Sequence, residues 1–412
     1  MNQKSSTRKS IAIVGAGPAG LMAASTMGFE DHDVVVFDAM PSPARKLLMA
    51  GKSGLNLTHN EPLDKFLDRY ACSGNVEFDR AIRSFPADQI RSWASDLGTE
   101  TFIGSSGRIF PKSMKASPLL RAWLQRLDSK NVSLRTRHKW IGWGQDGKMQ
   151  FETPTGLISH NADLVLLAMG GASWPRLGTT GAWNEHLQSR DVSCQPFQPS
   201  NCGFNISWTE HLISRFAGTP LKSITLSCDE FSVSGDTVIS QYGLEGGAIY
   251  TISRALISKL KTDGKAELKI DLRPGVPIDN LLEKLSRPRG KQSLSNHLRK
   301  NAGLDKLKVA LLFECLAKET FQDIEKLANA IKALPVKING PRPMTEGIST
   351  SGGVAFEELD QNWMLHKIPG VFCAGEMLDW DAPTGGYLIA ACLAQGKAAG
   401  AGMLAWLNSN DA

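Results

Sequence analysis

The sequence predicts an α/β protein whose first domain is built on a parallel sheet, left by the chain near Cys194 and rejoined well after Leu334. Three observations carry that reading. Residues 11–24 run from an apolar strand through a glycine-rich turn into a helix of small residues. Residues 33–38 form a second apolar strand ending in an acid. Residues 163–171 and 368–379 then repeat the pattern of an apolar strand that stops at small residues.

The first of these is the strongest. Ile11, Ala12, Ile13 and Val14 lead into Gly15-Ala16-Gly17-Pro18-Ala19-Gly20 and on into Leu21-Met22-Ala23-Ala24. In that context G-x-G-x-x-G is a dinucleotide-binding fingerprint: Gly15 for the tight turn, Gly17 for close approach of a pyrophosphate, Gly20 for close packing of helix on strand. The helix N-terminus offers the anion free N–H groups and a positive dipole end. Asp38, at the end of the second strand, stands where a carboxylate accepts from ribose hydroxyls and repels a 2′-phosphate.

Composition bounds the rest. The chain has 412 residues, 42% hydrophobic and 21% charged, which is ordinary globular usage spread over two or three domains. Its seven cysteines are scattered and odd in number with no C-x-x-C pair, so a reducing, cytoplasmic setting is expected and neither a disulfide framework nor a metal site is. The net charge of +5 permits an anionic partner without requiring one. The basic, polar first ten residues read as a frayed tail with no signal peptide. No apolar run reads as long enough for a membrane span.

After Asp38, Arg45 and Lys46 precede a loop rich in small residues, Gly51-Lys52-Ser53-Gly54-Leu55-Asn56-Leu57. The cations could neutralise phosphate, and Gly51, Ser53, Gly54 and Asn56 could pass close to a flat ring and hydrogen-bond its edge. From 61 to 125 the pattern is mostly helical, with Phe85, Ile90, Trp93 and Leu97 as a core stripe; residues 108–111 read as a strand end or turn. A short strand follows at 132–136 and a hairpin turn at Gly144 to Gly147. The buried strand at 163–167 ends in Ala168-Met169-Gly170-Gly171; the stretch 172–183 is a loop, and His186 an ordinary helix residue.

From 195 to 251 short β-like runs (221–228, 231–234, 237–240) predict a small antiparallel sheet or barrel. Residues 252–334 read as largely helical and lysine-rich, with Arg287, Arg289, Lys291, Arg299 and Lys300 close together. Such a run is most often a solvated face; here it is also the one candidate docking surface for nucleic acid, although no aromatic residues interleave with the cations. The chain then returns through Thr350-Ser351-Gly352-Gly353-Val354 to Ala374-Gly375-Glu376-Met377-Leu378-Asp379. Pro383-Thr384-Gly385-Gly386-Tyr387 opens a last helix of small residues from Leu388 to Trp406. Bare N–H groups there would stabilise negative charge at the N1–C2=O edge of a flavin.

These motifs, with Arg45-Lys46-Leu47-Leu48 and Ala168-Met169-Gly170-Gly171-Ala172-Ser173-Trp174-Pro175, resemble the HI0933-like family of FAD-dependent flavoproteins, which includes aminoacetone oxidases and bile-acid flavin reductases. The likeness runs over nearly the whole chain. It implies a Rossmann-like, glutathione-reductase-like FAD domain (1–194 plus 342–412) interrupted by an insertion at 195–341, with a β-barrel from 195–251 and about 335–341 and a helical subdomain at 252–334. It further implies FAD held without a covalent link by Gly15, Gly17, Pro18, Ala19, Gly20, Asp38, Arg45, Lys46, Ser53, Gly54, Asn56, Leu57, Trp140, Ala168, Gly170, Gly375, Glu376, Asp379, Gly385, Gly386, Tyr387 and Leu388. Two departures mark a divergent branch. The loop after Leu48 lacks the Arg-Cys pair of many relatives, and Met169 stands where a threonine hydroxyl is usual.

Three functions follow from that likeness. In the first, a flavin oxidoreductase passes a hydride between a reduced donor, NAD(P)H or a small amine, and a small-molecule acceptor or dioxygen. With no second G-x-G-x-x-G in the chain, NAD(P)H as donor would bind transiently over the flavin. The second is a flavin-dependent reductase of a uridine base in RNA docked on the stretch 287–300, and the third a flavin-bound sensor without turnover. His59, Tyr242, Tyr387 and Glu376 are able to move protons, and the sequence assigns catalysis to none of them.

Overall fold

The structure is a computed structural model that describes residues 8–27, 32–72 and 74–410. The stretch up to Thr7, read above as part of a frayed tail, lies outside the described residues. The chain divides into two units, residues 1–198 with 349–412, and residues 199–348, each with its own buried apolar cluster.

The first unit is organised by five parallel strands: β1 (Lys9–Val14), β2 (His32–Asp38), β3 (Ser133–Thr136), β4 (Leu164–Leu167) and β5 (Val371–Cys373), in the order β5-β4-β1-β2-β3. Val14 lies beside Phe37 on one side and Leu167 on the other, and Val165 beside Val371. The front and back of the chain therefore share one sheet. Ile11 to Val14 and Leu164 to Leu167 are all buried, as a parallel sheet covered on both faces requires.

Two helices cover the site's side of this sheet. α1 (Pro18–Thr26) follows the glycine turn with Pro18 at its first position, where a missing N–H costs nothing. The C-terminal helix (Tyr387–Asn410) packs on it through its small residues: a Cβ added at Gly396 would lie 2.2 Å from the Ala19 carbonyl oxygen, and one at Gly400 3.0 Å from that of Ala23. By length and composition this helix could cross a membrane, contrary to the expectation from sequence, but more than half of its apolar window is buried inside the fold. Its apolar content serves the contact with α1.

Elsewhere in this unit the hairpin turn joins Lys139–Trp143 to Met149–Thr153. The stretch read as mostly helical carries helices Val76–Ser84, Ala87–Asp96 and Ala116–Asp128. Between them, Arg108–Pro111 is the middle strand of a small antiparallel sheet with Thr58–His59 and Thr101–Ile103.

The second unit holds seven antiparallel strands, beginning at Leu334–Ile338 and ending at Gly340–Pro341. These two edges are consecutive in the chain, separated by Asn339 alone, so the sheet curls round into a barrel-like ring. One strand corrects the sequence reading: Ala266–Asp271 lies within the stretch expected to be helical and pairs with both Pro220–Cys228 and Leu334–Ile338. Its Ala266, Leu268 and Ile270 are buried and its Glu267 and Lys269 exposed, a period of two that marks a half-buried strand. Helices Gly247–Asp263, Ile278–Leu285, Leu294–Asn301, Lys306–Cys315 and Ile324–Lys332 account for most of the rest.

Candidate functional site

The turns after β1, β4 and β5 meet at the carboxyl edge of the sheet. The Ala168 N–H donates to the Val14 carbonyl at 2.8 Å, and the Ala374 N–H to that of Leu167 at 3.1 Å. The first turn is built of close approaches. Gly15 has φ +107°, and a Cβ there would lie 2.2 Å from the Ala168 carbonyl oxygen. A Cβ on Gly20 would lie 2.0 Å from the Gly15 oxygen, so helix and turn touch backbone to backbone. Gly17 differs: a Cβ there would meet nothing within 4 Å.

A cleft of about 540 Å³ opens along this edge, lined by Gly15, Gly17, Pro18, Ala19, Asp38, Arg45, Lys46, Trp140, Ala168, Gly170, Gly375 and Glu376 among the expected residues. Its volume suits a sizeable organic ligand. At its centre the Lys46 ammonium sits 2.6 Å from Glu376 Oε2 and 2.8 Å from Ser173 Oγ. Glu376 also accepts from the Thr350 N–H at 3.2 Å. The two charges assigned separately from sequence, Lys46 to phosphate and Glu376 to the flavin, thus neutralise one another in the protein alone.

Asp38 is equally well anchored. Its Oδ2 accepts from the Ala16 N–H at 3.0 Å and its Oδ1 from the Met40 N–H at 2.8 Å. Burial raises its carboxyl above the usual range; these two bonds and the nearby Arg45 charge oppose the rise without cancelling it. Each oxygen keeps a second lone pair for a ligand hydroxyl.

Several lining residues were not singled out from sequence. Trp183 donates its indole N–H to the Gly170 carbonyl at 2.8 Å and pins the turn after β4. His186 sits in helix Trp183–Gln188, as the sequence predicts, and also lines the cleft, its ring 5.1 Å from that of Trp140. Cys392, from the C-terminal helix, lines it too, and burial pushes its thiol up to about 12. The glycine- and proline-rich stretch 175–181 was the only local signal that backbone comes close there.

The other expected residues lie outside the cleft lining. Gly20 works in packing, as above. Ser53 belongs to a single helical turn, Gly51–Ser53. Gly54 has φ +118° and lies against Met114. Leu57 is buried, and its N–H donates to the Ile109 carbonyl. Burial holds the Asp379 carboxyl above the usual range, against the opposing pull of the Gly352 backbone N–H. Leu388 packs on the apolar core of the unit. Gly385 and Gly386 have φ +132° and +97°, and a Cβ on Gly386 would lie 2.7 Å from the Thr58 backbone. Tyr387 is buried in an aromatic cluster with His59, Phe66 and Tyr70. In the segment it covers, Asn56 Oδ1, Thr58 Oγ1 and His59 Nδ1 are buried without a hydrogen-bond partner, as is Trp140 Nε1. Buried polar atoms of this kind call for a partner, and a ligand or an ordered water can supply it.

The family described as HI0933-like protein Rossmann domain matches residues 9–402. A 3-dehydro-bile acid delta(4,6)-reductase from Clostridium scindens is 24% identical, over 95% of this chain and 98% of that protein. A ribosomal RNA dihydrouridine synthase from Escherichia coli is 23% identical, over 91% of this chain and 93% of that protein. Among solved structures, a 3-ketosteroid-delta4-(5alpha)-dehydrogenase from Rhodococcus jostii in complex with 4-androstene-3,17-dione aligns with TM-score 0.48 and 15% identity, covering 97% of this chain and 98% of that one.

Proposed function

The chain belongs to the HI0933-like family, whose members are FAD-dependent oxidoreductases, and from that premise we propose that its cleft holds FAD non-covalently for hydride transfer between a reduced donor and a small-molecule acceptor. The observation that carries the reading is the convergence of three glycine-bearing turns and Asp38 on one cleft at the carboxyl edge of β1, β4 and β5. The residues fit the group. Gly17 leaves open space where a pyrophosphate needs the backbone, and Asp38 on the same cleft keeps carboxylate lone pairs for a ribose hydroxyl.

In this reading the first N–H groups of α1 bind the pyrophosphate, and Asp38 accepts from a ribose hydroxyl. Bound flavin would supply a two-electron hydride carrier. The protein would contribute the cleft and, from the helix start just outside its lining, N–H groups that favour negative charge near them. NAD(P)H serves as the transient donor. A bile-acid reductase among the relatives supports an unsaturated carbonyl compound as the acceptor class. The test is the absorption spectrum of purified protein under anaerobic NADH and then NADPH, followed by addition of an unsaturated ketosteroid. A flavin band that bleaches and returns supports the proposal. A protein that stays colourless after incubation with FAD refutes it.

One observation favours a second acceptor, a base in RNA. Arg287, Arg289 and Lys291 are exposed on the connection between helices Ile278–Leu285 and Leu294–Asn301, and Arg299 and Lys300 are exposed in the last turn of the second helix. One of them, Arg287, is engaged by Glu283 at 3.1 Å. RNA binding through this face would weaken steeply with salt, by roughly one power of ten or more between 50 and 200 mM for a few phosphate contacts. Reduction of the small molecule would not.

A further inference from the structure

Tyr387 is the first residue of the C-terminal helix and follows two glycines whose φ values, +132° and +97°, belong to glycine alone in practice. The turn it closes is held from several directions. The Tyr70 hydroxyl donates to the Tyr387 carbonyl at 2.8 Å, and the Gly386 backbone lies against that of Thr58. The Tyr387 hydroxyl donates to Glu61 Oε1 at 2.5 Å. Glu61 is in turn gripped by Arg69, Nη2 to Oε2 at 2.9 Å and Nε to Oε1 at 3.3 Å. The His59 ring stacks on Tyr387 at 5.6 Å and 16°. Its Nε2 faces the Ser106 carbonyl at 2.9 Å, which can only accept, so Nε2 carries the proton.

Packing alone does not call for this arrangement. A phenylalanine at 387 would fill the same aromatic cluster with Phe66 and Tyr70. Instead the cluster tolerates a carboxylate whose side chain is only 9% exposed. Burial alone would raise the Glu61 carboxyl, but the hydrogen bonds from Arg69 and Tyr387 and the Arg69 charge outweigh it and hold the group ionised. A local rule broken inside an apolar cluster, with a charged device built to compensate, is characteristic of functional positions.

We propose that Glu61 is a positioning residue: tied to Arg69, it holds the Tyr387 hydroxyl and so fixes the start of the C-terminal helix, whose N-terminal N–H groups set the affinity and potential of the bound flavin. This deepens the function proposed above and rests on it. The chain Arg69–Glu61–Tyr387 acts as a latch. With the latch intact, the helix end stays where it stabilises the negative charge that accompanies reduction. With it open, the turn at Gly385 and Gly386 keeps only the Tyr70 bond and the Thr58 contact and is less firmly fixed, and the reduced state loses more than the oxidised one.

The experiment compares flavin-loaded wild type with Tyr387→Phe, Glu61→Gln and the double variant. It reads the FAD dissociation constant by fluorescence and the two-electron potential by dye equilibration. Each single change is expected to weaken binding of the reduced form about tenfold relative to the oxidised form, a fall in potential of about 30 mV. The double variant should be no worse than either single, because the residues act as one chain. Arg69→Gln, at a half-exposed side chain that tolerates change, should shift the potential the same way and by less, and it keeps the test decisive where a buried variant does not fold. Flavin-loaded variants with wild-type potential, or single effects that simply add, overturn the latch. A wild-type protein that carries no flavin overturns both the latch and the reading beneath it.

Discussion

Gly17 is the position at which folding and binding separate. Its backbone is extended, with φ −83° and ψ −178°, a conformation that any residue adopts. A Cβ there meets no heavy atom within 4 Å. Gly17→Ala therefore breaks no contact in the protein alone, and its effect on stability should stay within about 0.5 kcal/mol, a shift in Tm of roughly 2 °C or less. The methyl group does occupy the face of the cleft that a pyrophosphate must approach. Holding the anion back forfeits hydrogen bonds to a charged acceptor worth about 1.5–3 kcal/mol each, so one lost bond weakens FAD binding roughly ten- to a hundredfold. The assay is a titration of flavin-free protein with FAD by fluorescence quenching, beside thermal unfolding without FAD. Gly15→Ala is the control of opposite character. At φ +107°, with its Cβ 2.2 Å from the Ala168 carbonyl oxygen, it strains the backbone by about 1–3 kcal/mol and forces β1 and β4 apart as well. A Gly17→Ala protein that binds FAD as tightly as wild type, or that unfolds several degrees lower, would refute the assignment of this turn.

Three further expectations follow from the site. Lys46→Met leaves Glu376, whose side chain is 8% exposed, without its cation; removing one partner of a buried pair costs 3–5 kcal/mol, and because Lys46 is a quarter exposed about 2 kcal/mol is expected here. Denaturant unfolding measures it, and a cost below about 0.5 kcal/mol would show the pair to be idle. Cys392, partly buried, lines the cleft with its thiol raised to about 12, so at pH 8 it should resist iodoacetamide in the folded protein; rapid labelling at that position in a peptide map would contradict the raised thiol. Glu61 has a folded pKa below its unfolded value of 4.5, so its contribution to stability is present above about pH 4.5 and lost as pH falls through the folded value. Glu61→Gln should flatten the stability curve in that acid window, and a slope there equal to wild type would deny the carboxylate its role.

Legibility in the sequence followed the range of the interactions. Gly15, Gly17 and Gly20 are readable because they fall together in one short motif between an apolar strand and a helix, although only the Gly20 contact with Gly15 is local and the Gly15 contact is with Ala168; Asp38 is readable because it ends the strand next to them. The hairpin at Gly144 to Gly147 was readable for the same reason. Ala266–Asp271 was missed although its alternation was present, because helical, lysine-rich neighbours on both sides masked a six-residue strand. The place of His186 at the cleft is not legible because nothing around it in the sequence indicates that it packs against Gly142, whose Cβ would lie 2.8 Å from its Nδ1.

What the amino-acid order determined by itself, then, is a set of local shapes: the phosphate turn, the strand that ends at Asp38, the small-residue helix that must lie against something close. Their assembly was decided only in three dimensions. Lys46 finds Glu376 across 330 residues, and Tyr387 finds Glu61 across 326. Each of these side chains taken alone is compatible with solvent, phosphate or cofactor. Burial selects among those options, because a charge removed from water must be paired by whatever the fold brings within hydrogen-bond distance, and that neighbour is a property of the sheet order and not of the local sequence.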